Sequence, residues 1–328
     1  MTLLRAMFAG CGLMAALVCL PGLANAANDY PLRPIKLIVP FPPGGGTDMF
    51  GRVVAEKLTD KFGWNVVVEN RPGAGGNIGV DAAVKSTPDG YTIVLGQTSN
   101  LAINPTLYPN LPYDPLKDLT PIVLVAASPI VLAIGADSKY KNLAEVVAAS
   151  KEKPESVSLG FSGNGTVSHL AGAFMQSTAG IKFMMVPYKG AAFAMTDLMG
   201  SRIDMYMSSV PTLLGYIRDK KLRALGVTSS KRVGVLPDVP TLGEVKGFHG
   251  YEAITWFGLL APSGTPQSVI AKVNAAVNEV LREKSVVKKL EAEGSIVLGG
   301  TSEQFKKRLA SDTALWAGII RDAGVKLN

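Results

Sequence analysis

Residues 41–48, Phe41-Pro42-Pro43-Gly44-Gly45-Gly46-Thr47-Asp48, join an apolar run to an amphipathic one through three consecutive glycines. Glycines strip a loop of side chains and let its backbone approach a ligand closely. Where such a loop opens a helix, the unpaired N–H groups of the first turn and the helix dipole both favour an anion. The chemistry on offer is recognition of a small carboxylate, phosphate or sulfate. Thr47 and Asp48 each fit two roles, ligand contact and helix cap, and the two can coexist.

A second segment repeats this plan. The apolar run 157–161 leads into Ser162-Gly163-Asn164-Gly165-Thr166, then into a helical stretch carrying His169. His169 fits either a position at the ligand or a structural hydrogen bond to nearby backbone. Gln97, Thr98 and Ser99 follow the run 91–95 and bring amide and hydroxyl groups to another strand end. Open α/β sheets bind ligands at the carboxyl ends of their strands, so two glycine-rich ends facing each other can hold one carboxylate from opposite sides.

Other chemistries fit poorly. In Gly73-Ala74-Gly75-Gly76-Asn77-Ile78-Gly79 the dinucleotide fingerprint needs glycine where Ile78 stands, and no P-loop lysine follows either glycine-rich run. A tight turn with close helix packing is the better reading. Gly160-Phe161-Ser162-Gly163-Asn164 nearly makes a hydrolase elbow but ends in Asn, and no acid is placed to orient His169 as the base of Ser162. A serine hydrolase using Ser162 is therefore a distant alternative, and no catalytic residue is assigned. Two histidines, His169 and His249, and no cysteine beyond residue 26 leave too few ligands for a zinc site. No metal and no cofactor is expected.

The elements that must position these loops alternate. Strand-like runs at 35–39, 65–69, 91–95, 121–126, 130–134, 157–161, 183–187, 203–207 and 222–228 are interleaved with helical stretches at 47–61, 142–151, 166–178 and 191–200. That spacing predicts parallel-sheet α/β construction. A further strand is expected at 253–260, and apolar helix faces follow, carrying Val269, Val273 and Val277 and later Phe305, Leu309 and Trp316. Those tail helices need a sheet to cover. The expected organisation is a discontinuous first lobe, residues 27–127 plus 255–328, with residues 128–254 inserted as a second.

Residues 1–26 read as a secretory signal peptide. Arg5 precedes an apolar run from about Ala6 to Leu20, and Ala24-Asn25-Ala26 supplies a small-residue cleavage site. Cleavage after Ala26 places the protein in the periplasm and removes Cys11 and Cys19, so the mature chain forms no disulfide. It also removes Arg5 alone among charged residues, which lowers the net charge from +7 by one. The remaining basic residues are dispersed, with only short groups such as Lys220-Lys221, so nucleic-acid binding is not expected.

Ordered along the chain, several segments carry a family resemblance: Tyr30-Pro31-Leu32-Arg33-Pro34-Ile35, the loop at 41–48, Glu69-Asn70-Arg71-Pro72-Gly73-Ala74-Gly75-Gly76, and Pro88-Asp89-Gly90-Tyr91. Leu111-Pro112-Tyr113-Asp114-Pro115, the loop at 162–166, Val186-Pro187-Tyr188-Lys189-Gly190 and Pro237-Asp238-Val239-Pro240-Thr241 extend it over essentially the whole mature chain. The chain resembles the substrate-binding proteins of tripartite tricarboxylate transporters, also called TctC or Bug receptors.

The resemblance implies a two-lobed periplasmic binding protein fold, a Venus flytrap of the type II kind with the ligand in a cleft between lobes. It implies capture of a small carboxylate without catalysis, partly through ordered water, and delivery to the membrane permease subunits of such a transporter or, in some members, to a sensor kinase. Carried onto this chain, the ligand motifs contribute Phe41, Gly45, Gly46, Thr47 and Asp48 from the first loop. The second contributes Ser162, Gly163, Gly165 and Thr166, with His169 behind it. Gln97, Thr98, Tyr188 and Ser208 complete the candidate set.

Two departures bear on ligand choice. Many relatives carry Ala-Arg where this chain has Gly51-Arg52, and a His where Met185 stands. The segment Ile203-Asp204-Met205-Tyr206-Met207-Ser208-Ser209 is rich in methionine, which suits either a less polar or aromatic acid in the cleft or ordinary core filling. Mass spectrometry of the exported protein should find Ala27 as its first residue, and an intact Met1 would contradict the leader assignment.

Overall fold

The computed structural model describes residues 30–188 and 191–326. The leader expected over residues 1–26, and Lys189 and Gly190 of the family motif, lie outside the described residues. In chain order the first elements are β1 (Ile35–Val39), α1 (Gly46–Phe62), β2 (Val66–Asn70), α2 (Asn77–Val84), β3 (Thr92–Gln97), a π-helical turn (Ser99–Ile103) and α3 (Asn104–Leu107). The long strand β4 (Leu119–Gly135) then leads to α4 (Leu143–Glu152), β5 (Ser158–Phe161), α5 (Val167–Ala179), β6 (Met184–Pro187) and α6 (Ala191–Met199). After β7 (Met205–Ser209), α7 (Val210–Arg218) and β8 (Leu222–Val227), the chain returns through β9 (Ile254–Pro262). It ends with α8 (Gln267–Leu281), α9 (Lys284–Ala292), β10 (Ile296–Val297) and α10 (Ser302–Asp322).

Two parallel sets of strands form, β2-β1-β3 and β7-β5-β6, and β9 and β4 join them. The parallel strands expected from alternation are found within each set, and the joining strands differ: β9 runs antiparallel to β3 and β4, and β4 antiparallel to β7 and β8. The reason is connectivity, because β4 carries the chain out of the first set into the second and β9 brings it back beside β3 in the opposite direction. The runs expected at 121–126 and 130–134 are one strand. It pairs with β9 as far as Pro129 and with β7 from Ile130 onward.

This pairing sets the direction of every strand end. β1, β2 and β3 run with β4, whereas β5, β6 and β7 run against it, so the carboxyl ends of the two sets point toward each other. Gln97 at the end of β3 is level with Phe257 and Ala126, and Ser209 at the end of β7 is level with Ile130. Four residue steps along β4 separate those levels, roughly 13 Å at strand rise. A gap of that size, open at both carboxyl ends, is where a small ligand fits in an α/β protein.

Apolar burial holds each half. Val53, Val54 and Leu58 of α1 pack with Val273, Val277 and Val280 of α8 and with Leu37 and Leu95 of the sheet. Met205 and Met207 are fully buried in the core, so the methionines of β7 fill the interior. The tail helices do more than cover the first set: α10 packs on β4 and also on α5 of the second. Its buried Asp312 accepts hydrogen bonds from the Trp256 indole at 2.6 Å and from Arg308 at 2.9 Å. That contact anchors β9, one of the two joining strands, to the tail. Among the described residues no helix is long and apolar enough to cross a membrane.

Removing the Asp312 carboxylate leaves a buried indole donor and a charged partner unpaired. Asp312→Leu should lower stability by about 2 to 3 kcal/mol in urea unfolding. Arg308→Ala should cost less than about 1 kcal/mol, since its side chain is 38% exposed and hydrated without its partner.

Candidate functional site

The first glycine loop sits where β1 ends and α1 begins. Gly44 adopts φ +83°, a conformation that L side chains rarely take, and this turns the chain back into the helix. Gly45 precedes the first helical residue, and no side chain caps the helix. Asp48, which expectation allowed as ligand contact or cap, points inward. Its carboxylate accepts from Gly44 N at 2.9 Å, Arg52 Nε at 2.9 Å and Asn70 Nδ2 at 2.9 Å. Burial works against its charge, yet the bonds from Arg52, Gly44 and Asn70 outweigh it and hold the carboxyl down at about 2. The N–H groups of Gly45, Gly46 and Thr47 are left without partners in the chain. The Thr47 hydroxyl also makes no bond, although Thr47 is only 4% exposed.

Those atoms face a cavity of about 340 Å³. One wall is the loop itself, Gly44 through Thr47, with Met49 and Phe257 beside it. The opposite wall is the junction of β7 and α7, through Ser209, Pro211 and Thr212. Ser128 of β4 and Thr255 of β9 form the floor where those strands cross between halves, and Glu293, at the end of α9, closes one side. The cavity therefore lies in the gap between opposed strand ends. Phe257 packs tilted against the buried ring of Phe50, with centroids 4.5 Å apart, which fixes the apolar edge. A larger recess of about 510 Å³ near Asp137 and Lys221 lies at the far ends of β4 and β7, away from both glycine loops.

The second loop is bonded internally, in contrast to the first. Gly163 N donates to Phe161 O, Thr166 N to Gly163 O, Ser162 N to Ser168 Oγ, and Gly165 N to His169 Nδ1 at 3.2 Å. Thr166 caps α5 by accepting from His169 N, and donates its own hydroxyl hydrogen to Gly163 O. His169 stacks on Phe161 at 4.5 Å, and burial lowers its pKa to about 4, so the neutral imidazole accepts from the loop. Of its two expected roles, the structure shows the bond to backbone. Ser162 reaches Tyr206 at 2.9 Å and Ser208 at 3.1 Å, and Ser208 adjoins Ser209 in the cavity wall. The second loop thus stands one residue behind the surface that the first loop faces.

The remaining candidates divide. Gln97 follows Leu95 on the α1 side of β3 and pairs with the cavity residue Phe257. Thr98 is fully buried; its hydroxyl accepts from Trp256 N at 2.9 Å and donates to Ile254 O, which pins the crossing strand. Asn70 bonds the Phe41 carbonyl and so holds the loop at its start. Tyr188 donates to Asp197 at 2.9 Å, and its pKa is pushed up to about 12 by burial and that carboxylate. Gly79 packs so closely on Pro40 that a Cβ would stand 2.6 Å from the ring, in keeping with the tight-turn reading. Residue types alone did not point to Ser128, Ser209, Thr212, Thr255 or Glu293. A signal existed for one of them, since Ser209-Val210-Pro211 is a strand end running into a helix with proline in its first turn. Among the described residues no group of three or more metal-binding side chains occurs.

A family model described as a tripartite tricarboxylate transporter family receptor matches residues 50–325. Three solved structures are similar over the whole fold. The periplasmic binding protein BugD is 35% identical with a TM-score of 0.78, covering 90% of this chain and 99% of that one. An R. palustris protein solved with adipate is 31% identical with a TM-score of 0.82, covering 91% and 99%. MatC from Rhodopseudomonas palustris, solved with bound malate, is 27% identical with a TM-score of 0.77, covering 89% and 100%.

Two titrations follow from the geometry. The Asp48 carboxyl lies below its unfolded value of 3.8, so its contribution is complete above about 4 and is lost as the pH falls through about 2. Asp48→Asn should cost about 2 kcal/mol at neutral pH and flatten that acid limb. His169 titrates at about 4 when folded against 6.5 otherwise, so the unfolded chain takes up the proton first. Stability should fall on acidification from about 6.5 to about 4. His169→Gln should remove that slope in thermal melts taken across the range.

Proposed function

The chain belongs to the tripartite tricarboxylate transporter receptor family, and from that premise we propose that it captures a small carboxylate in the cavity at the start of α1 and hands it to the permease of such a transporter. Family and fold are those of a receptor in the periplasmic binding protein class, not of an enzyme. The observation that carries the ligand reading is the uncapped first turn of α1. It presents N–H groups and the Thr47 hydroxyl to the cavity while Asp48, the acid of that turn, is turned inward and paired with Arg52 and Asn70. A carboxylate supplies the acceptors that this turn lacks.

Adipate and malate in the two similar structures support a carboxylate and do not select one, since they differ in length and in polarity. The proposed ligand residues are Gly45, Gly46, Thr47 and Gln97 from one side and Ser208, Ser209 and Thr212 from the other. Ser162, Gly163, Gly165, Thr166 and His169 hold the second side in shape. The proposed lobes are residues 27–127 plus 255–328 and residues 128–254. The exchange of β4 from β9 to β7 at Pro129 and Ile130 supports that division. Closure brings the opposed strand ends together about the crossing strands and is driven by contacts that only the closed form makes. Export by the leader and residence in the periplasm accompany this reading.

Gly45 offers a clean test. Its φ is −84°, and a Cβ there would meet only Pro42 O at 3.8 Å, so the chain itself has room for a methyl. Gly45→Ala should leave the melting temperature of the ligand-free protein unchanged and weaken binding of its best acid at least tenfold in calorimetry. Equal affinity in wild type and variant would contradict ligand contact at this loop.

A further inference from the structure

The cavity contains an electrostatic asymmetry. The α1 end offers N–H groups and a hydroxyl, all donors to an anion. Ser128, Ser209, Thr212 and Thr255 add neutral hydroxyls, and no lysine or arginine lines the space among the described residues. Arg52, the cation nearest the loop in sequence, is bonded to Asp48 and Asn70 behind it. The single charged side chain at the cavity wall is Glu293, an acid. It ends α9 and is exposed, and its carboxylate enters none of the described ion pairs or side-chain hydrogen bonds.

A diacid bound by one carboxylate at α1 would bring its second anion into a space whose one fixed charge is negative. The donors at that end are hydroxyls, and of these Ser209 and Thr212 are bonded to each other at 2.8 Å and Ser128 to Ser295 at 3.2 Å. Like charges at close range repel even beside solvent, and an ammonium group placed there is attracted by the same interaction. We infer that Glu293 sets the ligand class: the cavity selects an amino-carboxylate, with its carboxylate at the first turn of α1 and its protonated amine toward Glu293, over a diacid of equal length. This rests on the carboxylate reading of the α1 end. The burial of Thr47, with its hydroxyl unpaired and facing the cavity, supports that end independently of Glu293.

The position of Glu293 suits this role. The next residue, Gly294, has φ +75°, and a Cβ there would stand 2.5 Å from Val210 and 2.9 Å from Val235. Ser295 reaches Ser128 at 3.2 Å. The backbone that carries Glu293 is thereby wedged against α7 and tied to the crossing strand, so the acid is held at the cavity although its side chain is solvated.

The test is calorimetric titration with matched pairs, succinate against 4-aminobutyrate and adipate against 6-aminohexanoate, into wild type, Glu293→Gln and Glu293→Lys. Glu293 is exposed, and equal melting temperatures of the three ligand-free proteins establish that the substitutions leave the fold intact. Wild type should bind at least one amino acid tenfold or more tighter than its matched diacid. Glu293→Gln should erase that preference and Glu293→Lys should reverse it. A diacid bound as tightly as its partner, with the ratio unmoved by either substitution, would overturn the role of Glu293 and leave carboxylate capture standing. Failure of all four acids to bind any of the three proteins would contradict carboxylate capture itself, and this inference with it.

Discussion

An α-helix begins with backbone N–H groups that its own turns cannot satisfy, and the cleft of this protein is arranged around one such beginning. At α1 the usual remedy is absent. Gly45 stands where Ser, Thr or Asp would cap, and Asp48 spends its carboxylate on Gly44, Arg52 and Asn70. These bonds hold the loop in one shape while keeping the acid off the open N–H groups. The charge that shapes the loop is thus separated from the site that the loop presents.

The rest of the architecture brings a second surface to that point. β4 is long enough to belong to both sets of strands, and the two sets run in opposite directions along it. Their carboxyl ends therefore meet across about 13 Å at strand rise. Two threonines tie the crossing. Thr98 bonds the main chain of β9 on one side, and Thr228 bonds Ile130 and Ala253 on the other. Between these ties lie Ser128 and Thr255, the floor of the cavity. Ser128 is itself tied to Ser295 at 3.2 Å, which joins the floor to the segment that carries Glu293.

Much of this was legible in the residues. The strand at 35–39, the glycine loop and α1 follow from an apolar run, three glycines and a Val53, Val54, Leu58 face. The second loop was recognisable as an echo of the first, but its function in the structure differs. Whether a glycine loop leaves its N–H groups open depends on where neighbouring side chains turn. Ser168 and His169 fill the second loop from within the helix that follows it, whereas Asp48 braces the first from behind. Spacing alone does not encode that choice. Strand direction was also hidden, because alternation of strands and helices is the same whether the joining strands run parallel or antiparallel. Glu293 gave no signal at all, since it reaches the cavity from a helix end more than two hundred residues beyond the loop it faces.

The central claim is that the open first turn of α1 is what holds the ligand. It is tested most directly by amide spectra of uniformly 15N-labelled protein titrated with a bound acid. The N–H signals of Gly45, Gly46 and Thr47 should move downfield with ligand in a single saturable step, as expected for backbone donors that gain an anionic acceptor, while Gly163 and Gly165, already bonded within their loop, move less. Saturable binding that leaves Gly45, Gly46 and Thr47 unmoved and shifts amides elsewhere would contradict it.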